Sequence, residues 1–162
     1  MVAIIADAGP LIALAKIDHL RILPKLFPSI SITQSVADEC LRNHATDALL
    51  IRQALDDGWL QCLANPVLTL PMSRSLGIGE QSSIELALQS PTKTLLILDD
   101  GLARKQALRK QLQIIGTAAL LFAAQRKGFI ANAENVIAQL NLIGYRISAD
   151  VVNQLKNSLS NT

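Results

Sequence analysis

Cysteine, histidine and aromatic side chains are scarce in this 162-residue chain, and each scarcity removes a class of function. Cys40 and Cys62 form no C-x-x-C pair and have no histidine at zinc-ligand spacing, so neither a zinc module nor a redox pair is indicated. Both read as reduced thiols within the core. Nothing near His19 or His44 completes a Ser-His-Asp or Cys-His arrangement. One Trp, one Tyr and three Phe make no strip on which splayed bases would stack. The glycines around Gly77 and Gly79 match neither G-x-G-x-x-G nor a P-loop, so NAD and ATP are not indicated. No apolar run reaches the ~18 residues that span a bilayer, which leaves no membrane role. The apolar N-terminus lacks a basic leader and is interrupted by Asp7, Gly9 and Pro10; a cytoplasmic protein is expected.

What the chain has is hydrophobic residues, half of the total, and a formal charge of only +2. Such a chain suits one domain over 1–162 that buries roughly 70% of its unfolded surface. A small net charge permits nucleic acid without requiring it, because a carboxylate cluster would mask a more basic remainder.

Apolar runs and turn residues outline the elements. Strands are expected at 2–6, 29–33, 59–63, 94–98 and 114–115. Helices are expected from Leu11 to 17, from an N-cap at Ser35 through Arg42, and over 47–57, 79–88 and 102–112. Further helices fall at 118–126 and 133–143, with a last one capped by Ser148. Residues 64–77, with Pro66 and Pro71, read as a long loop, and 157–162 as a fraying end. Strands alternating with helices predict an α/β protein: a three-layer α/β/α sandwich around a mainly parallel five-stranded sheet, followed by C-terminal helices from about 131 to 159.

Acids stand at the ends of apolar runs at four places: Asp7, Glu39, Glu80 and the pair Asp99-Asp100. In open parallel sheets the ligand crevice lies beyond the carboxyl ends of the strands, where Asp7 and Asp99-Asp100 fall. Carboxylates gathered there repel one another unless a cation offsets them, and all-oxygen ligation suits Mg²⁺ or Mn²⁺. Each acid has a plainer reading. Asp7 would cap a helix, Glu39 would be a solvated helix residue rivalled by Asp38, Glu80 would favour a helix dipole, and Asp99-Asp100 would shape a turn. Arg104, Lys105, Arg109 and Lys110 follow on one helix, either as contacts for phosphates or as a solvated basic face.

In order along the chain come Asp7-Ala-Gly-Pro-Leu-Ile-Ala-Leu, Val36-Ala-Asp-Glu39, Gly77-Ile-Gly-Glu80 with Glu85-Leu-Ala87, Leu98-Asp-Asp100 with Ala103-Arg104 and Ala107, and Gly116-Thr117. This set resembles PIN-domain proteins, in particular a prokaryotic branch related to VapC-type toxins. The resemblance implies a PIN-like nuclease fold and a Mg²⁺- or Mn²⁺-dependent endoribonuclease, often the toxin of a toxin–antitoxin pair. It further implies RNA as substrate, a small antitoxin protein as partner and a homodimer. By position, Asp7, Glu39, Glu80 and Asp100 would be catalytic and metal-binding, with Asp99 as the alternative in the other register. Thr117 would be a supporting hydroxyl, and Arg104 and Lys105 would contact RNA. Two departures stand out: Ala8 where many relatives place Thr or Ser, and Glu80 where many carry Asp. The competing functions are a catalytically weak PIN-fold binding module and a phosphatase-like hydrolase using strand-end aspartates. The latter lacks the Asp-x-Asp expected after its first strand.

Overall fold

The computed structural model describes residues 1–42, 45–69, 71–72 and 75–160; His44 and part of the 64–77 stretch lie outside them. Five strands, β1 (Ala3–Ala6), β2 (Ile30–Thr33), β3 (Leu60–Leu63), β4 (Thr94–Ile97) and β5 (Gln113–Ile115), form one sheet in the order β3-β2-β1-β4-β5. Every pairing is parallel. Strands buried on both faces need side chains that are apolar throughout, and Ile4, Ile5, Ala6, Leu96 and Ile97 supply them.

Between the strands run α1 (Ala8–Lys16), α2 (Ile22–Leu26), α3 (Gln34–Leu41), α4 (Thr46–Asp57), α5 (Ile78–Gln89) and α6 (Gly101–Arg109). Parallel crossovers are right-handed, so the β1-to-β2-to-β3 connections and the β3-to-β4-to-β5 connections cover opposite faces. The result is the expected α/β/α sandwich. On the α5–α6 side, Ile5 and Leu96 are register partners and pack with Leu98, Leu76, Ile84, Ala87, Ala103 and Ala107. Ala103 and Ala107 lie one turn apart, and their small side chains let α6 approach the sheet closely.

A second compact unit begins at Gly116 and holds α7 (Thr117–Arg126), α8 (Ala133–Leu142) and α9 (Ala149–Ser160). Within it α7 packs against α8 and α9. Asn132 caps α8 by accepting from Asn135 N at 3.1 Å, and Ser148 caps α9 by accepting from Val151 N at 3.2 Å. Gly144, at φ +90°, ends α8: its N–H reaches Asn141 O at 3.1 Å, and Tyr145 N reaches Leu140 O at 3.0 Å.

Local chemistry moves several expected boundaries. Helix α3 starts directly after β2 because the last strand residue, Thr33, is its cap and accepts from Val36 N at 3.2 Å. Ser35, the expected cap, instead donates its backbone N–H to Asn65 Oδ1 at 2.9 Å. Helix α6 stops at Arg109, short of 112, where Gln111 adopts φ +63° and Leu112 N returns to Ala107 O at 3.1 Å. Helix α2 was not expected from sequence; it is five residues long with Pro24 inside it, where propensity argues against a helix. Cys40 is buried as expected, but Cys62 is exposed, because β3 is the sheet edge and its side chains beyond Leu60 face outward.

Gly144→Ala is expected to destabilise the protein by about 1 kcal/mol. No atom lies within 4 Å of the added Cβ, so the cost is the left-handed backbone alone. Urea denaturation checks this, and an unchanged midpoint would contradict the αL cap.

Candidate active site

The strand order reverses between β1 and β4, and at such a point the helices leaving adjacent strands diverge to opposite faces and open a crevice. Asp7 enters it directly. Its backbone N–H extends the β1–β4 ladder by bonding Ile97 O at 3.0 Å, which sets Asp7 level with the end of β4. Only 6% of the residue is exposed, and Oδ1 has no hydrogen-bond partner. Although Asp7 occupies the cap position of α1, its side chain makes no capping bond. Helix capping therefore does not account for it.

Burial pushes the Asp7 pKa from 3.8 up to about 7. The Ala8 backbone N–H pulls it back in part, while the charges of Glu80, Glu39 and Asp100 add to the rise. Those three acids come from three helix starts or faces. Glu39 extends from α3 over Gly79: a Cβ built there would lie 3.1 Å from Glu39 Oε2 and 3.8 Å from Asp7 Oδ1. Glycine at 79 is what gives the Glu39 carboxylate room, whereas Asp7 would meet such a Cβ only at ordinary contact distance. Glu80, next along α5, folds back so that Oε2 accepts from Gly77 N at 3.1 Å. Its pKa is raised by burial; the Gly77 N–H works against the rise, and Asp100 and Glu39 contribute to it. Asp100 caps α6 by accepting from Ala103 N at 2.9 Å through Oδ2.

The structure thus brings the charges of Glu39, Glu80 and Asp100 to bear on Asp7, and those of Asp100 and Glu39 on Glu80. Asp99, half-buried, is not among the charges acting on Asp7 or Glu80. Asp38 is turned aside, accepting from Gln34 Nε2 at 2.7 Å. Arg104 Nη1 donates to Leu98 O at 2.9 Å, which anchors its guanidinium to the end of β4, and Lys105 is exposed. Thr117 is fully buried as the first residue of α7, in the second unit. His19 Nδ1 lies 2.7 Å from Ile17 O, a local backbone contact.

Sequence reading passed over a set of hydroxyls behind the acids. Thr33 Oγ1 lies 2.7 Å from Ser82 Oγ, and Ser82 Oγ and Ser83 Oγ each donate to Gly79 O at 2.8 Å. All three side chains are buried. The available signal was the spacing Gly79-x-x-Ser82-Ser83, which puts three small residues on one face of the helix that carries Glu80. Cys40 lies close enough to the acids that burial, Glu39 and Asp7 push its thiol up to about 12, so it is an inert thiol.

Among the described residues, no three His, Cys, Asp or Glu side chains are gathered tightly enough to grip a cation as they stand. Glu80 and Asp100 are each held on a backbone N–H. The chemistry of the set nevertheless fits a hard divalent cation: every donor is oxygen, and a buried carboxylate oxygen lacks any partner. A separate cavity of about 180 Å³, lined by Asp18, Arg21, Asp57, Trp59 and neighbours, contains none of the four acids.

An acid-lined crevice at the switch point of a parallel α/β/α sheet defines the class. The chain belongs to the PIN-domain family: the family model DUF3368, a PIN domain, matches residues 3–161. No curated protein matches the sequence.

Folding raises the Asp7 pKa, so the folded metal-free protein holds this proton more tightly than the unfolded chain does. The resulting stabilisation is complete below the unfolded value and is lost as pH rises through about 7. From the shift, its upper bound is on the order of 4 kcal/mol. With chelator present, the parent is expected to lose stability between pH 4.5 and 7.5 relative to Asp7→Asn, as read by urea denaturation at several pH values. Parallel pH profiles for the two proteins would contradict the desolvation of the Asp7 carboxylate.

Proposed function

We propose that this chain is a Mg²⁺- or Mn²⁺-dependent endoribonuclease, the toxin of a VapC-type toxin–antitoxin pair. The observation that carries the reading is Asp7 Oδ1, desolvated, unpartnered and under the charge of three further carboxylates. Such an atom is costly to bury unless something of opposite charge meets it. A Mg²⁺ or Mn²⁺ held there would lower the pKa of a water it binds and would offset charge on the phosphoryl oxygens. Asp7 and Asp100 are assigned as its direct ligands, and Glu39 and Glu80 as outer ligands or water-orienting bases. Thr117 is assigned as a supporting hydroxyl.

The crevice also needs a means of holding RNA. Arg104, one turn beyond Asp100 and fixed by Leu98 O, and the exposed Lys105 are assigned to phosphates flanking the cut. A homodimer and a small antitoxin partner follow from the VapC resemblance. Leu142, Ile143 and Val151, which are exposed on and beside α8 and α9, support such packing. No helix among the described residues is long and apolar enough to cross a membrane, and we assign the protein to the cytoplasm.

Asp7→Asn and Asp100→Asn are each expected to lower Mn²⁺-dependent RNA cleavage by about a hundredfold or more, while the proteins remain folded. Asp99→Asn is expected to retain activity. Gel assays on a defined RNA, with melting curves as the folding control, test the set; full activity in Asp7→Asn would sink it. Replacing Arg104 and Lys105 with Ala should reduce the salt slope of RNA affinity by roughly 0.7 for each lost phosphate contact. An unchanged slope in a filter-binding salt series would return both residues to a solvated basic face.

A further inference from the structure

One arrangement of hydrogens satisfies all of the contacts among these hydroxyls at once. In it Ser82 donates to Gly79 O, which can only accept, and Ser82 Oγ accepts from Thr33. Thr33 Oγ1 itself accepts from Val36 N. The bonds therefore run in one direction, from Val36 N–H on α3 through two hydroxyls to the Gly79 carbonyl on α5, at 3.2, 2.7 and 2.8 Å. Chains of this kind polarise each link, and burial removes the water that would replace a broken one.

This relay spans the two helices that carry Glu39 and Glu80. In front of it, Val36 Cγ2 and Glu39 Oε2 lie 3.5 and 3.1 Å from the Cβ position of Gly79. The Glu39 charge on α3 acts unfavourably on Glu80 of α5, and the relay ties the two helices together across that repulsion. We infer that Thr33 and Ser82 are positioning residues that hold the Glu39 and Glu80 helices at a fixed separation, and that this separation makes the crevice select Mg²⁺ and Mn²⁺ over the larger Ca²⁺. The inference rests on the cation-dependent reading above. Ca²⁺ accepts loose, variable oxygen shells, whereas Mg²⁺ keeps a tight shell with several ordered waters, so fixed positions for the outer carboxylates Glu39 and Glu80, which would orient those waters, are a means of discrimination. Ser83 provides an internal control: its hydroxyl donates to the same Gly79 carbonyl from within α5, outside the Val36-to-Gly79 chain.

The test is Mn²⁺ affinity by electron paramagnetic resonance, with Ca²⁺ as competitor, on the parent, Ser82→Ala, Thr33→Val, Thr33→Ser and Ser83→Ala. Melting temperatures are recorded alongside. Ser82→Ala and Thr33→Val are expected to weaken Mn²⁺ binding about tenfold and to narrow its margin over Ca²⁺. Thr33→Ser keeps the hydroxyl and should restore parental binding, and Ser83→Ala should bind as the parent does. A purely structural role would lower the melting temperature of Ser82→Ala and leave its Mn²⁺ affinity and selectivity unchanged, which overturns the inference. Equal loss in Ser83→Ala overturns it as well. A parent that binds no Mn²⁺ overturns the cation reading itself, an outcome distinct from both.

Discussion

Asp7 Oδ1 has lost its water without gaining a partner, and much of the surrounding structure bears on that one atom. Its backbone is fixed by the ladder to β4, so the side chain has little freedom to leave the crevice. The nearby acids cannot neutralise it; they raise its pKa further. Glu80 and Asp100 meanwhile satisfy helix starts, which gives two charges local partners while their field still reaches Asp7. A crevice with this balance is poised for a positive ligand.

Helix α5 shows how such proximity is achieved. Its buried face consists mainly of small or polar residues, Gly79, Ser82, Ser83 and Ala87, together with Ile84 and Glu85, so the helix has almost no apolar stripe. Glu85, fully buried, accepts from Thr69 N at 2.7 Å and from Gln89 Nε2 at 3.0 Å, which pins the segment before α5 to the helix itself. Packing by small groups and satisfied polar atoms lets α3 and α5 touch where larger side chains would hold them apart.

How far the sequence revealed this depended on the range of the interactions involved. Strands β1 and β4 were legible because a short apolar run ending in an acid and a turn is a local pattern. Asp7, Glu39, Glu80 and the Asp99-Asp100 pair stood out for the same reason. Choosing between Asp99 and Asp100 was not legible, since it depends on which side chain the α6 turn directs toward Asp7. Thr33 as a cap, the exposure of Cys62 at an edge and the Thr33–Ser82 contact were likewise hidden. Each depends on which segments become neighbours in space, and a hydroxyl in sequence looks the same whether it faces water or another helix.

The position of β1 has a consequence in time. It is made first, yet it sits at the centre of the sheet, between β2 and β4, and its Ala3 pairs with Thr94. Pairings so distant along the chain form late, because the intervening loop must close before they contribute stability. During synthesis the half-sheet β3-β2-β1 is available early, but Asp7 stays beside an open edge until β4 emerges. A nascent or prematurely released chain that ends before Asp100 carries three of the four acids and no crevice to hold them. The strand order thus delays assembly of the acidic centre until β4 and the start of α6 have left the ribosome.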